Sequence, residues 1–293
     1  MLKGISFSLL ASLLFGYIYY FSTLLLPLGG EDIFGYRVVF TVPFVVAAVF
    51  IFRKKYLLVR HLKRIRQQPW LVLVFLFNAA MMGFQMWLFL WAPNNGGALS
   101  VSLGYLLLPL VMVVMGRIFF KESISKVKLV AVLLAAIGVF SNIAIKGGLS
   151  WESVAVCGYA VYFMVRKQLN FADIASFAIE MVLLLPACIY LALQVDLDAV
   201  QQVNPPIVWL LLLLGLMSGV AFIFYIAASN LLPINVLGLL GYAEPIMMLV
   251  VAFIIGEKVD PESYPLFLCL IASMALILTE GIWKFNRLHS HKA

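Results

Sequence analysis

Apolar runs of close to twenty residues recur along the whole chain, separated by short polar breaks. The breaks read "PLGGED", "APNNGG", "KGGLS", "VNPP" and "LLPIN", the Gly, Pro and Asn punctuation expected between helices. A helix needs roughly 20 apolar residues, at about 1.5 Å each, to cross a hydrocarbon core. The runs are continuous rather than alternating, which favours helices over a β-barrel. They predict ten spanning helices, over 4–27, 32–52, 69–92, 97–119, 128–145, 151–166, 174–194, 207–231, 234–256 and 264–284. The first run exceeds the apolar core of a secretory signal, and Tyr17, Tyr19 and Tyr20 stand where small cleavage-site residues would be needed, so it is read as a span.

Composition agrees with an all-α polytopic membrane protein. The 293 residues are 65% hydrophobic and 11% charged, against about 25% charged in a soluble domain. The net charge of +7 does not indicate nucleic acid, because the basic residues cluster in the gaps between apolar runs. With the N-terminus in the cytoplasm, 17 of the 20 Lys and Arg fall on the inner side; Lys146 and Lys258 fall outside, and Arg37 lies within a helix. That bias predicts a multi-pass protein with both termini cytoplasmic. Cys157, Cys188 and Cys269 lie scattered in apolar runs, and His61, His289 and His291 in basic loop or tail, where they are expected to be solvated. Neither a disulfide framework, a metal site nor any other cofactor is expected.

The chain reads as two halves, 1–147 and 148–293, each holding five helices. "LLFGYIYYF" (13–21) aligns with "AVCGYAVYF" (155–163), and Pro43 aligns with Pro186. "LSVSLGYLLLPLVMVVMGRIFFKE" (99–122) pairs with "LGLLGYAEPIMMLVVAFIIGE" (237–257), matching Gly104 and Tyr105 to Gly241 and Tyr242. An odd number of helices per half forces the second half in upside down, and inverted repeats share a site near the bilayer midplane. Pro109 and Pro245 are expected near mid-membrane, where proline removes a backbone hydrogen bond and bends its helix.

Charge within a span costs roughly 3 kcal/mol or more, so each case requires a reason. Glu244, ten residues into its helix, lies about 15 Å deep, too far to snorkel, and must face protein or a water-filled cavity. Arg37 and Glu180 enter from opposite faces, roughly 10 Å apart in depth, which argues against a direct salt bridge. Arg37 can instead snorkel outward to Glu31 or Asp32. Asn78 and Gln85 share a helix face turned to the bundle interior, and Tyr17, Tyr105, Tyr159 and Tyr242 offer an apolar body with a polar tip to line a cavity. The residues expected at the site are therefore Glu244, Tyr242, Gly241, Pro245, Tyr105, Gly104, Pro109, Tyr17, Tyr159, Asn78, Gln85, Trp91, Arg37 and Glu180.

In these motifs the sequence resembles the drug/metabolite transporter superfamily, and within its EamA group the RarD-type permeases. Trp91, Ala92 and Asn94, then Ser102 to Tyr105, Pro109 and Glu122, follow the family's first-half pattern, and Tyr162, Arg166, Lys167, Glu180 and Pro186 follow its second. The chain departs in having Ser100 where the family usually has glutamate, Leu108 where it has asparagine, and Glu244 where relatives are commonly uncharged. The resemblance implies a ten-helix, inverted-repeat exporter of small amphiphilic metabolites such as amino acids, in a bacterial inner membrane. The expected partners are a small-molecule substrate, protons through Glu244, and the lipid bilayer. Facilitated, channel-like passage without protons is equally open. A single chain suffices to build both repeats. No intramembrane histidine, clustered acid–base set or nucleotide motif points to an enzyme.

Overall fold

The computed structural model describes residues 2–232, 236–237 and 240–290, and of residues 2 and 284–290 the backbone alone. The helices are α1 Leu2–Phe21, α2 Gly30–Ile51, α3 Lys55–Gln67, α4 Leu71–Trp91, α5 Ala98–Phe120, α6 Lys126–Lys146, α7 Trp151–Gly158, α8 Ala160–Gln168, α9 Ile174–Leu193, α10 Leu197–Val203, α11 Ile207–Leu231, α12 Ala243–Ile254 and α13 Tyr264–Ser290. Among the described residues all regular structure is helical. Eight stretches are long and apolar enough to cross a membrane: Lys3–Leu25, Gly30–Ile51, Leu71–Asn94, Ala98–Phe120, Lys126–Lys146, Ile174–Leu193, Ile207–Leu231 and Pro261–Trp283. The chain is a multi-pass membrane protein.

Two of the ten expected helices take a different form. The helix predicted over 151–166 is divided into α7 and α8 at Tyr159, whose N–H bonds the Val156 carbonyl at 3.0 Å, three residues back instead of four. The helix predicted over 234–256 falls partly outside the described residues. Its described part has a turn at Gly241 and Tyr242, after which α12 begins at Ala243. Pro245 lies in the first turn of α12, where its missing N–H costs nothing, rather than at a mid-helix bend. Pro109, by contrast, lies inside an uninterrupted α5.

The segment 53–66, expected as a basic loop, forms the amphipathic helix α3. His61 is not solvated there: it is buried between Phe75 and Phe171, with Nε2 2.7 Å from Asp173 Oδ2. Asp173 also caps α9 by accepting from the Ala175 and Ser176 N–H groups at 2.9 and 3.0 Å. Burial pushes this carboxyl up, but the bonds from His61 and the two amides outweigh it, leaving Asp173 below its ordinary value.

Packing follows side-chain size. Gly215 and Gly219, one turn apart on α11, admit Phe40 and Phe44 of α2. A Cβ on Gly215 would sit 2.2 Å from Phe40 Cβ, and one on Gly219 2.3 Å from Phe44 Cγ. This is the small-residue approach that membrane helices use, since lipid supplies no hydrophobic drive between them. α1 packs on α11 and α12, α2 on α9 and α11, α4 on α9, and α5 on α7 and α12. α6 and α13 pack on each other at the margin, where the apolar windows are only 22% and 28% buried, against 61% for α2.

Candidate functional site

Polar side chains gather inside the bundle in two clusters. The first is built from α2, α4, α5, α11 and α12. Arg37 is buried; its Nε donates to Ser218 Oγ at 2.9 Å and its Cζ stands 5.3 Å from the centre of the Phe89 ring. It does not snorkel to Glu31 or Asp32, because a partner on α11 and an aromatic face on α4 hold it inside. Glu244 is half-buried and lies near Arg37, Tyr105 and Tyr225, yet makes no ion pair with Arg37. Tyr105 sets its ring edge-on to Phe89 at 6.4 Å, with Gln85 beside its hydroxyl. Buried polar atoms here lack protein hydrogen-bond partners: Gln85 Nε2, and Thr41 Oγ1 one turn beyond Arg37.

The second cluster lies toward α3. Glu180 is fully buried and accepts from Tyr162 Oη at 2.8 Å, Arg166 Nη1 at 2.8 Å and Asn78 Nδ2 at 3.3 Å. Arg166 also donates to Tyr162 Oη, to the Asp173 carbonyl at 2.9 Å and to Ser176 Oγ at 3.0 Å. Arg166, expected at the inner end of the helix over 151–166, is buried, with Glu180 as its counter-charge. Glu180 pairs with Arg166 and Arg37 with Ser218, and the two form no ion pair with each other. Tyr159 stacks on Tyr162 at 4.7 Å and is coupled to Tyr105, so it stands between the clusters.

The structure thus brings together Arg37, Gln85, Tyr105, Tyr159 and Glu244, and separately Asn78 with Glu180. Gly104 is a packing residue: a Cβ there would lie 2.8 Å from Val156 Cβ on α7. Trp91 ends α4 among Trp87 and Trp151, at 5.6 and 5.5 Å. Tyr17 is half exposed, with its ring against Tyr20 and Phe21 of its own helix. Tyr242 and Pro245 are buried at the start of α12, and Gly241 is exposed. A crevice of about 690 Å3 opens elsewhere, lined by Ser100, Asn142, Lys146, Ser153, Lys258 and Asp260; none of the expected site residues lines it.

Sequence reasoning missed Arg166, Ser218 and Glu257 as site or supporting residues. Tyr162 and Arg166 are spaced i, i+4, and the buried acid Glu180 demanded a cation; together these were the available signal. Glu257, beyond α12, accepts from the Ala98 and Leu99 N–H groups at 2.8 and 2.6 Å, capping α5.

A model of the EamA-like transporter family matches residues 2–144 and again residues 146–279. The chain belongs to the EamA-like transporter family. It is 65% identical over 288 residues to an uncharacterized transporter of Pasteurella multocida, covering 98% of this chain and 99% of that one. It is 37% identical over 267 residues to the chloramphenicol-sensitive protein RarD of Pseudomonas aeruginosa, covering 89% and 88%, and 28% identical over 290 residues to the protein RarD of Escherichia coli, covering 97% of each. One solved crystal structure superposes with a TM-score of 0.56 at 14% identity, covering 95% of this chain and 98% of that one; this likeness concerns the fold. The family and these named relatives are transporters and RarD proteins rather than enzymes. The two family matches divide the chain in the last turn of α6, and each cluster draws on both matched segments.

Proposed function

We propose that this EamA-family transporter is an exporter of small amphiphilic metabolites such as amino acids or related compounds, working by alternating access of two inverted five-helix repeats. Its place is the bacterial inner membrane, both termini cytoplasmic. The observation that carries the reading is the first cluster. A buried cation and a half-buried anion lie near each other without pairing, and Tyr105 lies near both. That arrangement suits a zwitterion: the substrate carboxylate on the Arg37 guanidinium, its ammonium on Glu244, its side chain among Phe89 and Tyr105. The buried Gln85 amide, beside the Tyr105 hydroxyl, supplies a further donor.

Helix packing supports a twofold repeat, which the odd number of helices per half would make an inverted one. Exchanging the halves (α1 with α7 and α8, α2 with α9, α4 with α11, α5 with α12, α6 with α13) turns the α2–α11 contact into α9–α4, and α1–α12 into α7–α5; all four contacts exist. The α2–α9, α5–α12 and α6–α13 contacts map onto themselves. Such a pattern is what a pseudo-twofold axis between the halves produces.

The test is counterflow of neutral amino acids in vesicles holding the purified protein. Trans-stimulation is expected for the free amino acid and not for its methyl ester or N-acetyl derivative. Glu244→Gln should keep the fold but remove either the activity or its dependence on pH between about 5 and 8. Uptake without trans-stimulation would instead indicate channel-like passage, and trans-stimulation without pH dependence a facilitative permease. Transport unchanged in Glu244→Gln across that range would falsify the role of Glu244.

A further inference from the structure

The segment 53–66 holds seven of the chain's 20 Lys and Arg and no acid. It joins α2 to α4, two stretches of spanning length, so α3 lies at a membrane surface. One face of α3 is fixed to the protein. Leu57 and His61 are buried, His61 meets Asp173, and Arg64 donates to the Leu169 carbonyl at 2.6 Å while its Cζ stands 5.0 Å from the Phe171 ring centre. With that face held, the opposite one has a defined direction.

The opposite face is exposed and mixed. Lys55, Val59, Leu62, Lys63 and Arg66 recur at helical spacing along one stripe, with Tyr56 and Arg60 beside it. Tyr56, Val59 and Leu62 are each more than half exposed. Among the described residues the only carboxylate paired with the helix is Asp173, which meets His61 and, at 3.5 Å, Arg60. A solvated loop has no use for three exposed apolar side chains, and a span has no room for this many charges. Interleaving of the two kinds is the signature of a helix lying in the interface: apolar groups reach below the headgroups and long cationic side chains extend up to the phosphates.

We infer that the outer face of α3 binds anionic phospholipid headgroups. Charge selects the lipid, since each Lys or Arg near an anionic surface adds attraction that neutral lipid lacks. The bound lipid acts beyond α3. Asp173 takes His61 and Arg60 on its carboxylate and Arg166 on its carbonyl, and Arg166 holds Glu180. Lipid that fixes α3 therefore fixes the α8–α9 junction that carries the second polar cluster.

The experiment uses the full chain in nanodiscs of phosphatidylcholine alone, or mixed with phosphatidylglycerol, read by thermal unfolding and by native mass spectrometry of retained lipid. The wild type should unfold several degrees higher in the mixture and retain phosphatidylglycerol severalfold over phosphatidylcholine. Raising ionic strength should reduce that preference, because exposed charges are screened. The variant K55Q/K63Q/R66Q alters only exposed side chains and should lose both effects. Equal retention of the two lipids by the wild type, or a preference insensitive to salt, overturns the inference without any variant having to fold. So does an unfolding shift of the same size when inorganic phosphate is added to the phosphatidylcholine discs. The result does not depend on what the chain transports.

Discussion

At the scale of single residues, the two clusters differ in how charge is satisfied. Glu180 is fully buried and receives three donors, one of them the Arg166 guanidinium. Glu244 is half-buried and only coupled to its cation. A buried pair whose lone pairs are filled holds a structure, whereas charges left apart are free to take a ligand. On the proposed function the Arg166–Glu180 pair is therefore the structural one. Removing one partner strands the other: Arg166→Met alone, or Glu180→Leu alone, should cost about 3–5 kcal/mol. Replacing both, as Arg166→Met with Glu180→Leu, should cost clearly less, because no charge is orphaned. Thermal unfolding of the two singles and the double closes the cycle; a double variant as damaged as the sum of the singles would remove this distinction. The sequence marked Glu180 as a buried acid but not its partner. Arg166 sits next to Lys167 at a helix end, where composition alone assigns both to the membrane surface; only the fold shows that one turns inward to Glu180 while the other meets the exposed Glu122.

At the scale of helices, the eight long apolar spans were legible because length and continuity are one-dimensional properties. Breaks inside apolar runs were not. The division at Tyr159 and the turn at Gly241 and Tyr242 leave hydrophobicity unchanged and alter only backbone bonding. α3 escaped notice for the opposite reason: its residues are too polar for a span, and its apolar positions emerge only at helical spacing. Long-range caps are equally invisible. A helix leaves its first N–H groups unbonded, and a carboxylate there is favoured by the helix dipole as well. Glu257 fills this role for α5 across a separation of 159 residues, while Tyr19 Oη and Ser102 Oγ bond the Ala98 carbonyl at 2.9 and 2.7 Å. The cap thus ties the segment after α12 to α5, across the two family matches. Glu257→Ala should cost about 1–2 kcal/mol, in the range of lost helix caps. It should also speed maleimide labelling of a cysteine placed at Ala98, which is fully buried in the wild type. Unchanged stability together with unchanged labelling would show that the cap holds nothing closed.

At the scale of the molecule, the two family matches and the exchange-symmetric packing lead to a statement about sidedness. If the second half is inverted, positions that follow α5 and α12 lie on opposite faces although their sequences align. Glu122, after α5, is exposed and pairs with Lys167; Glu257, after α12, caps α5 at its start. A parallel duplication would put both on one face. On the proposed topology the positive residues supply the absolute direction: the 53–66 and 117–128 segments would share the inner side, and Lys146 and Lys258 would take the other. Single cysteines at Lys63, Lys126 and Lys258, on a background with the three native cysteines replaced, make this measurable in intact cells. A membrane-impermeant maleimide added from outside should label position 258 and spare 63 and 126 until the membrane is opened. Labelling of 63 from outside, with 258 protected, would reverse the orientation but keep the inversion. Labelling of 126 and 258 from the same side would remove the inversion itself, and with it the shared axis on which alternating access between Arg37 and Glu244 depends.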